Sequence, residues 1–138
     1  MIRLLRHVDK EQYLSLLSTF RPVTIDMSDV EFKTIFDLID CHSKIYICEI
    51  SDLIVGTITI LFEQKFINNN ALYAHIEDVV VLPEYKGHGI GKMLVEFVVK
   101  VCKDYNVKKI VLNCDENLRN FYGKNNFIVD GISMIIKY

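Results

Sequence analysis

The chain has 138 residues, 51% hydrophobic and 25% charged, which excludes a disordered polymer and gives enough length for one domain with a buried core. Its 16 basic and 18 acidic residues leave a formal net charge of -2, so a sequence-blind nucleic-acid binder is disfavoured. Any anionic ligand must then be met by locally placed cations or backbone N–H groups. No stretch approaches the roughly 18 consecutive apolar residues of a membrane span. The basic, apolar start from Met1 to Arg6 lacks the long hydrophobic region and cleavage site of a signal peptide. Cys41, Cys48, Cys102 and Cys114 show neither C-x-x-C spacing nor a zinc pattern, so no metal is expected. They read as four reduced thiols of a cytoplasmic protein.

Asp9-Lys10-Glu11-Gln12 reads as a capping box ahead of an apolar stripe at Tyr13, Leu16, Leu17 and Phe20. Pro22 ends that helix. Ser28-Asp29-Val30-Glu31 repeats the device before Phe32, Ile35, Phe36 and Ile39. Lys44 to Ile50 predicts a strand, Ser51-Asp52 a turn, and Ile54 to Gln64 a second strand rich in β-branched residues. Asn68-Asn69-Asn70 is a polar turn, and Ala71 to Val81 a return strand, which completes an antiparallel meander.

The pattern changes at Pro83. Half of the chain's 6 glycines fall between Pro83 and Lys92. A helix stripe follows at Ile90, Met93, Leu94, Phe97, Val98, Val101, Cys102 and Tyr105. Ile110-Val111-Leu112 predicts a short strand buried on both faces. Glu116 to Asn125 predicts a short helix, and Phe127 to Lys137 a last strand interrupted at Asp130-Gly131. The order describes one α/β domain over residues 1–138, built around a mixed sheet.

Strand, glycine loop, helix is an arrangement suited to phosphate, because the first turn of a helix carries unpaired N–H groups and partial positive charge. A P-loop is excluded, since Lys86 stands where its first glycine belongs and Met93 where its hydroxyl belongs. A dinucleotide fingerprint is excluded because Lys92 occupies its last glycine position. The remaining x-x-G-x-G fits a ligand site and a structural turn about equally. In the preceding strand, Glu77 and Asp78 stand side by side among apolar residues. Strict alternation would face them to opposite sides of the sheet, and a half-buried carboxylate calls for a partner or a function.

Ile76-Glu77-Asp78-Val79-Val80-Val81, the loop from Lys86 to Lys92, and Leu112-Asn113-Cys114-Asp115 followed by Asn120-Phe121-Tyr122 resemble the GNAT superfamily of N-acetyltransferases. More narrowly they resemble its glucosamine-6-phosphate N-acetyltransferase family. The resemblance is densest from His75 to Phe127 and extends loosely over nearly the whole chain. It implies a GNAT fold, a mixed sheet splayed open at the acetyl-CoA site and flanked by helices. It implies that Val79, Val80 and Val81 bind pantetheine as an added strand. Lys86, Gly87, His88, Gly89, Ile90, Gly91 and Lys92 would wrap the pyrophosphate, with Asn113 and Tyr122 also at the cofactor.

In that family the amine attacks the thioester directly. The resemblance gives Glu77 the amine, the strand's N–H groups the carbonyl oxygen, and Tyr122 the departing thiolate; Asn113 completes the catalytic set. Ser18, Lys65, Asn68, Glu77, Asp78, Val79, Lys108, Lys109 and Lys137 match positions that touch the amino-sugar phosphate. A homodimer with shared active sites and a C-terminal strand crossing between subunits is also implied. Three positions depart from the family pattern: Asn113 for aspartate, Leu118 for asparagine, and Asn126 for a glycine whose positive φ asparagine tolerates. A GNAT enzyme acting on another amine, and an acetyl-CoA-binding module without turnover, remain alternatives.

Overall fold

The computed structural model describes all 138 residues. Five strands form one sheet in the order β1 (Ile2–Leu4), β2 (Ser43–Ile50), β3 (Leu53–Gln64), β4 (Leu72–Val81), β5 (Lys109–Val111). Neighbours run antiparallel except β4 and β5, which are parallel. Helices α1 (Lys10–Ser18) and α2 (Asp29–Asp40) cover one face, and α3 (Ile90–Asp104) covers the other. A short helix α4 (Arg119–Gly123) follows β5. The mixed, helix-flanked sheet expected from the sequence is therefore present.

Each face buries its own apolar cluster. Ile58, Ile60, Ala74 and Ile76 pack against Ile90, Leu94, Val95, Val98 and Cys102 of α3. Ile45, Ile47, Ile54 and Val80 pack against Tyr13, Leu14, Leu16 and Phe32 of the helical pair. Burial of this kind contributes about 1.5–3 kcal/mol per large side chain. The α3 stripe is borne out at Ile90, Leu94, Val98 and Cys102, whereas Val95 is an unforeseen member and Met93 is half exposed.

The two capping boxes fare differently. Ser28 Oγ accepts from the Glu31 N–H, and Glu31 Oε2 accepts from the Ser28 N–H, as expected. Asp9 makes no side-chain cap on α1. Its carboxylate instead accepts from both Arg3 terminal nitrogens, at 2.7 and 2.9 Å, and from the Arg6 N–H at 2.7 Å. Gln12 is equally diverted: it accepts from the Ile54 N–H at 2.8 Å and donates to the Asp52 carbonyl at 3.1 Å, bracing the β2–β3 turn. Charge pairing across the fold outcompetes the local cap here.

The last expected strand does not form. Residues 128–138 carry no strand, and Ile128, Ile132, Met134 and Ile136 are exposed. A strand needs a partner edge, and within one chain the outermost strand, β5, offers only three residues. Cys41 and Cys114 are exposed, Cys48 and Cys102 buried, and none is disulfide-bonded. Burial pushes the Cys102 thiol up to about 11, which keeps it an inert core group.

Candidate active site

The site begins with a break in the pleat. Thr59 pairs with Glu77 but Thr57 pairs with Val80, so β4 carries one extra residue between them. Asp78 takes it up with φ +50°, a left-handed conformation that Asp tolerates better than most residues. The alternation slips by one. Ile76 faces α3, yet Val80 faces α1 and α2. Glu77 and Asp78 therefore do not diverge as strict alternation predicts. Both are exposed rather than half-buried, and Asp78 lines a groove of about 230 Å³ with Tyr13, Leu17 and Met27. Burial, with the Asp78 charge, pushes the Tyr13 phenol up to about 12.

The strand neighbour of β4 gives out just before the bulge. β5 pairs only with Tyr73, Ala74 and His75. From Ile76 to Val81 one edge of β4 has no strand beside it, leaving backbone donors and acceptors open to an extended ligand. The split between β4 and β5 opens into a cleft of about 640 Å³. One wall is Val79, Val80 and Val81. The glycine loop forms the floor, and α4 supplies the opposite wall through Phe121 and Tyr122.

Loop geometry suits an anion. Gly87 and Gly89 both have φ +81°, and a side chain added at either would meet nothing within 4 Å. Gly89 is also the residue before α3, so the free N–H groups of that 15-residue helix begin at the cleft. Lys86 and Lys92 flank the loop within the lining. A further match to expectation is Asn126, which takes φ +67° in place of the family's glycine.

Of the residues assigned to the cofactor, Val79, Val80, Val81, Lys86, Gly87, Gly89, Ile90, Gly91, Lys92 and Tyr122 line this one cleft. His88 does not; its Nδ1 lies 3.1 Å from the Lys86 carbonyl oxygen and its ring is exposed. Asn113 lines an adjoining hollow of about 400 Å³, which shares Tyr122 with the cleft. Burial, and then the nearby Cys114 thiol, raise the Tyr122 phenol above its ordinary range. It is a protonated donor at neutral pH.

The residues assigned to the sugar phosphate are scattered. Ser18 sits exposed at the end of α1 and donates to the Ser15 carbonyl, whereas the next two residues, Thr19 and Phe20, reach the cleft. Asn68, Lys108 and Lys109 line a separate hollow of about 650 Å³ at the start of β4. There Asn68 Nδ2 donates to the Tyr73 hydroxyl at 2.5 Å, and Lys65 and Lys109 lie 5.6 and 5.9 Å from the Tyr73 ring centre. Lys65 is ion-paired with Glu63, and Lys109 with Asp130 at 2.9 Å. Lys137 lies in the exposed C-terminal segment. Tyr73 and Val79 are six residues apart on one strand, roughly 20 Å. Within one chain Lys108 and Lys109 gather at the start of β4, whereas Val79 lies toward its far end.

The family model of the acetyltransferase (GNAT) family matches residues 9–127, and the chain belongs to that family. It is an acyltransferase, and acetyl-CoA is the co-substrate of its family. A glucosamine 6-phosphate N-acetyltransferase of Arabidopsis thaliana is 35% identical over 129 residues, covering 89% of this chain and 86% of that protein. One from Schizosaccharomyces pombe is 34% identical over 99 residues, covering 69% and 89%. The crystal structure of glucosamine-6-phosphate N-acetyltransferase from Arabidopsis thaliana superposes with a TM-score of 0.93 at 30% identity, over 100% of this chain and 97% of that one.

Proposed function

We propose that the chain transfers the acetyl group of acetyl-CoA to the amine of D-glucosamine 6-phosphate, giving N-acetyl-D-glucosamine 6-phosphate for UDP-GlcNAc biosynthesis. It acts as a single acetyltransferase domain in the cytoplasm. The observation that carries the reading is the unpaired edge of β4 from Ile76 to Val81, facing Tyr122 across a cleft floored by the glycine loop. The names of the Arabidopsis and fission-yeast relatives support the choice of amine.

The chemistry follows from the residues. Acetyl-CoA supplies the activated acyl group. The loop N–H groups and Lys92 hold its pyrophosphate, and the open β4 edge aligns its pantetheine. An N–H of the Val79–Val81 segment donates to the thioester oxygen as negative charge develops there. Glu77, held outward by the bulge, takes the proton that the ammonium must lose. Tyr122 returns a proton to the departing thiolate. Asn113 accepts from the amine through its backbone carbonyl, which the change from aspartate leaves intact.

The phosphate is met by lysines of a second copy of the chain. Two facts support a homodimer with shared sites. Lys108 and Lys109 line a hollow at the start of β4, and Lys109 pairs with Tyr73, five residues before the Asp78 bulge and so roughly 17 Å from it along the strand. The C-terminal segment also exposes Ile132, Met134, Ile135 and Ile136, an apolar run that a neighbouring sheet edge would cover. Lys137 would travel with it.

The test is CoA thiol release with glucosamine 6-phosphate, glucosamine, and a peptide amine in parallel. Release should depend on the sugar phosphate, with glucosamine at least tenfold poorer in kcat/KM. Equal rates with glucosamine, or release only with the peptide, would overturn the substrate.

A further inference from the structure

We infer that Tyr13 is a positioning residue for acetyl transfer: its hydroxyl and that of Thr59 brace the bulge at Asp78 from the α1 side, and so fix where the Glu77 and Asp78 carboxylates point. This rests on the reading of Glu77 as the group that takes the proton of the amine.

The bulge leaves a gap in the sheet. Thr57 pairs with Val80 and Thr59 with Glu77, so Ile58 of β3 is opposed by two residues of β4, Asp78 and Val79. Ladder hydrogen bonds are lost there, and buried backbone groups need other partners. Residues paired across two strands point their side chains to one face, so Thr57 and Thr59 share the face of Val80, beneath α1 and α2. The buried polar and charged residues outside the apolar core are Asp9, Ser43, Thr57 and Thr59, and two of these four flank the bulge. Asp9 is held by Arg3, and Thr57 donates to the Tyr46 carbonyl at 2.9 Å. Thr59 is left for the bulge and for Tyr13. A buried hydroxyl costs free energy unless it makes a hydrogen bond, and valine would fill the same space.

Tyr13 completes the set from α1. It is 7% exposed and lines one groove with Asp78. Burial, and then the charge of Asp78, raise its phenol to about 12 against the opposing pull of the Thr57 and Thr59 hydroxyls. The phenol therefore keeps its proton wherever Glu77 is ionised, and it stands as a neutral donor among these groups. The carboxylates have need of one. Neither Glu77 nor Asp78 has an ion-pair partner within the chain: Lys65 and His75 are held by Glu63, and Lys109 by Asp130. An adjacent cation would lower the basicity of Glu77. A neutral phenol orients the carboxylates at a smaller cost to it.

The test compares Tyr13→Phe, Thr59→Val and Thr59→Ser with wild type and with Leu16→Val, a packing change in the same helical cluster but outside the groove. Thiol release at varied amine, calorimetric acetyl-CoA binding and thermal melting are measured for each. The amine is glucosamine 6-phosphate, or whichever amine the wild type accepts. Tyr13→Phe and Thr59→Val should each lower kcat/KM for the amine about tenfold, the scale of one hydrogen bond, with acetyl-CoA affinity within about twofold. Thr59→Ser should recover most of the loss, and Leu16→Val should melt lower with kcat/KM unchanged. A wild-type kcat/KM in Tyr13→Phe would overturn the inference. So would a loss in Thr59→Ser equal to that in Thr59→Val, or a loss in Leu16→Val equal to that in Tyr13→Phe. Turnover confined to a different amine would overturn the sugar substrate, and Tyr13 is then judged by the same criteria on that amine. A wild type that turns over no amine would overturn both.

Discussion

Replacing Tyr122 with phenylalanine separates its packing as a core aromatic from the proton donation proposed for it. The ring packs edge-on against Phe121 and Phe127, with centroids 4.9 and 5.9 Å away, and phenylalanine keeps both contacts. Stability should therefore change by less than about 1 kcal/mol. The rate is a different matter. Burial raises the phenol above its ordinary range, so it keeps its proton until a thiolate departs. The same shift makes it a weaker acid, which places it at the lower end of the 10²–10⁴-fold range for general acid catalysis. Tyr122→Phe should accordingly lower kcat about 100-fold, near 2.7 kcal/mol in the barrier, with acetyl-CoA affinity within about twofold. Single-turnover thiol release and calorimetry measure the two quantities separately. An unchanged kcat, or a loss carried by acetyl-CoA affinity, would refute the assignment.

Other positions give sharper tests of the scaffold. Burial pushes the Asp9 carboxyl up, but the Arg3 fork and the Arg6 contacts outweigh it and hold it at about 2, below 3.8. A lowered folded-state value means stability that is complete above the unfolded value and fades as pH falls through the folded one. Asp9→Asn should cost about 2 kcal/mol at pH 6 and progressively less from pH 5 to pH 2, read by urea denaturation; a pH-independent cost would remove the ion pair as its cause. Gly89→Ala meets no atom but must hold φ +81°, so it should lose about 1 kcal/mol in thermal stability and at least tenfold in acetyl-CoA affinity. Unaltered affinity there would move the phosphates off the loop. Gly56→Ala would place a methyl 3.1 Å from Ile90 and Leu94 and 3.2 Å from the Val80 carbonyl, so a loss of about 1–3 kcal/mol is expected on thermal melting. Removing residues 128–138 should convert a dimer to a monomer in sedimentation; a dimer that persists would place the interface elsewhere.

The parts legible in the sequence were those with a local cause. The β2–β3–β4 meander, the α3 stripe and the Ser28 cap all follow from nearby residues and a fixed period, whereas the left-handed Asn126 was legible only through the family's glycine at that position. What escaped depends on distant partners. β1 has three residues, too few to show a pattern, and its Arg3 side chain is held between Asp9 and Glu49, one of them 46 residues away. The same long-range pairing removed Asp9 from its expected cap. Phe127 to Lys137 has the apolar content of a strand, but content cannot supply an edge to pair with. Thr19 and Phe20 join the cleft wall because the chain turns after α1, a turn that neither residue type announces.

The bulge at Asp78 was the most consequential omission, and it explains why site and split coincide. Ile76 is buried against α3 and Val80 against the α1–α2 pair. A regular strand would send both to the same face, four residues apart. The two burials are compatible only if one residue between them is taken out of the pleat, and Asp78 is the polar residue there that accepts positive φ at low cost. Once it does, Glu77 and Asp78 turn toward the α1–α2 side while Val79 and Val81 turn toward α3. The carboxylates and the cleft wall then lie on opposite sides of one backbone segment, at the point where β5 no longer pairs. On the proposed reading, an amine approaching from the carboxylate side and a thioester lying along the open edge would meet at that segment. The geometry proposed for reaction then follows from packing both faces of a single strand.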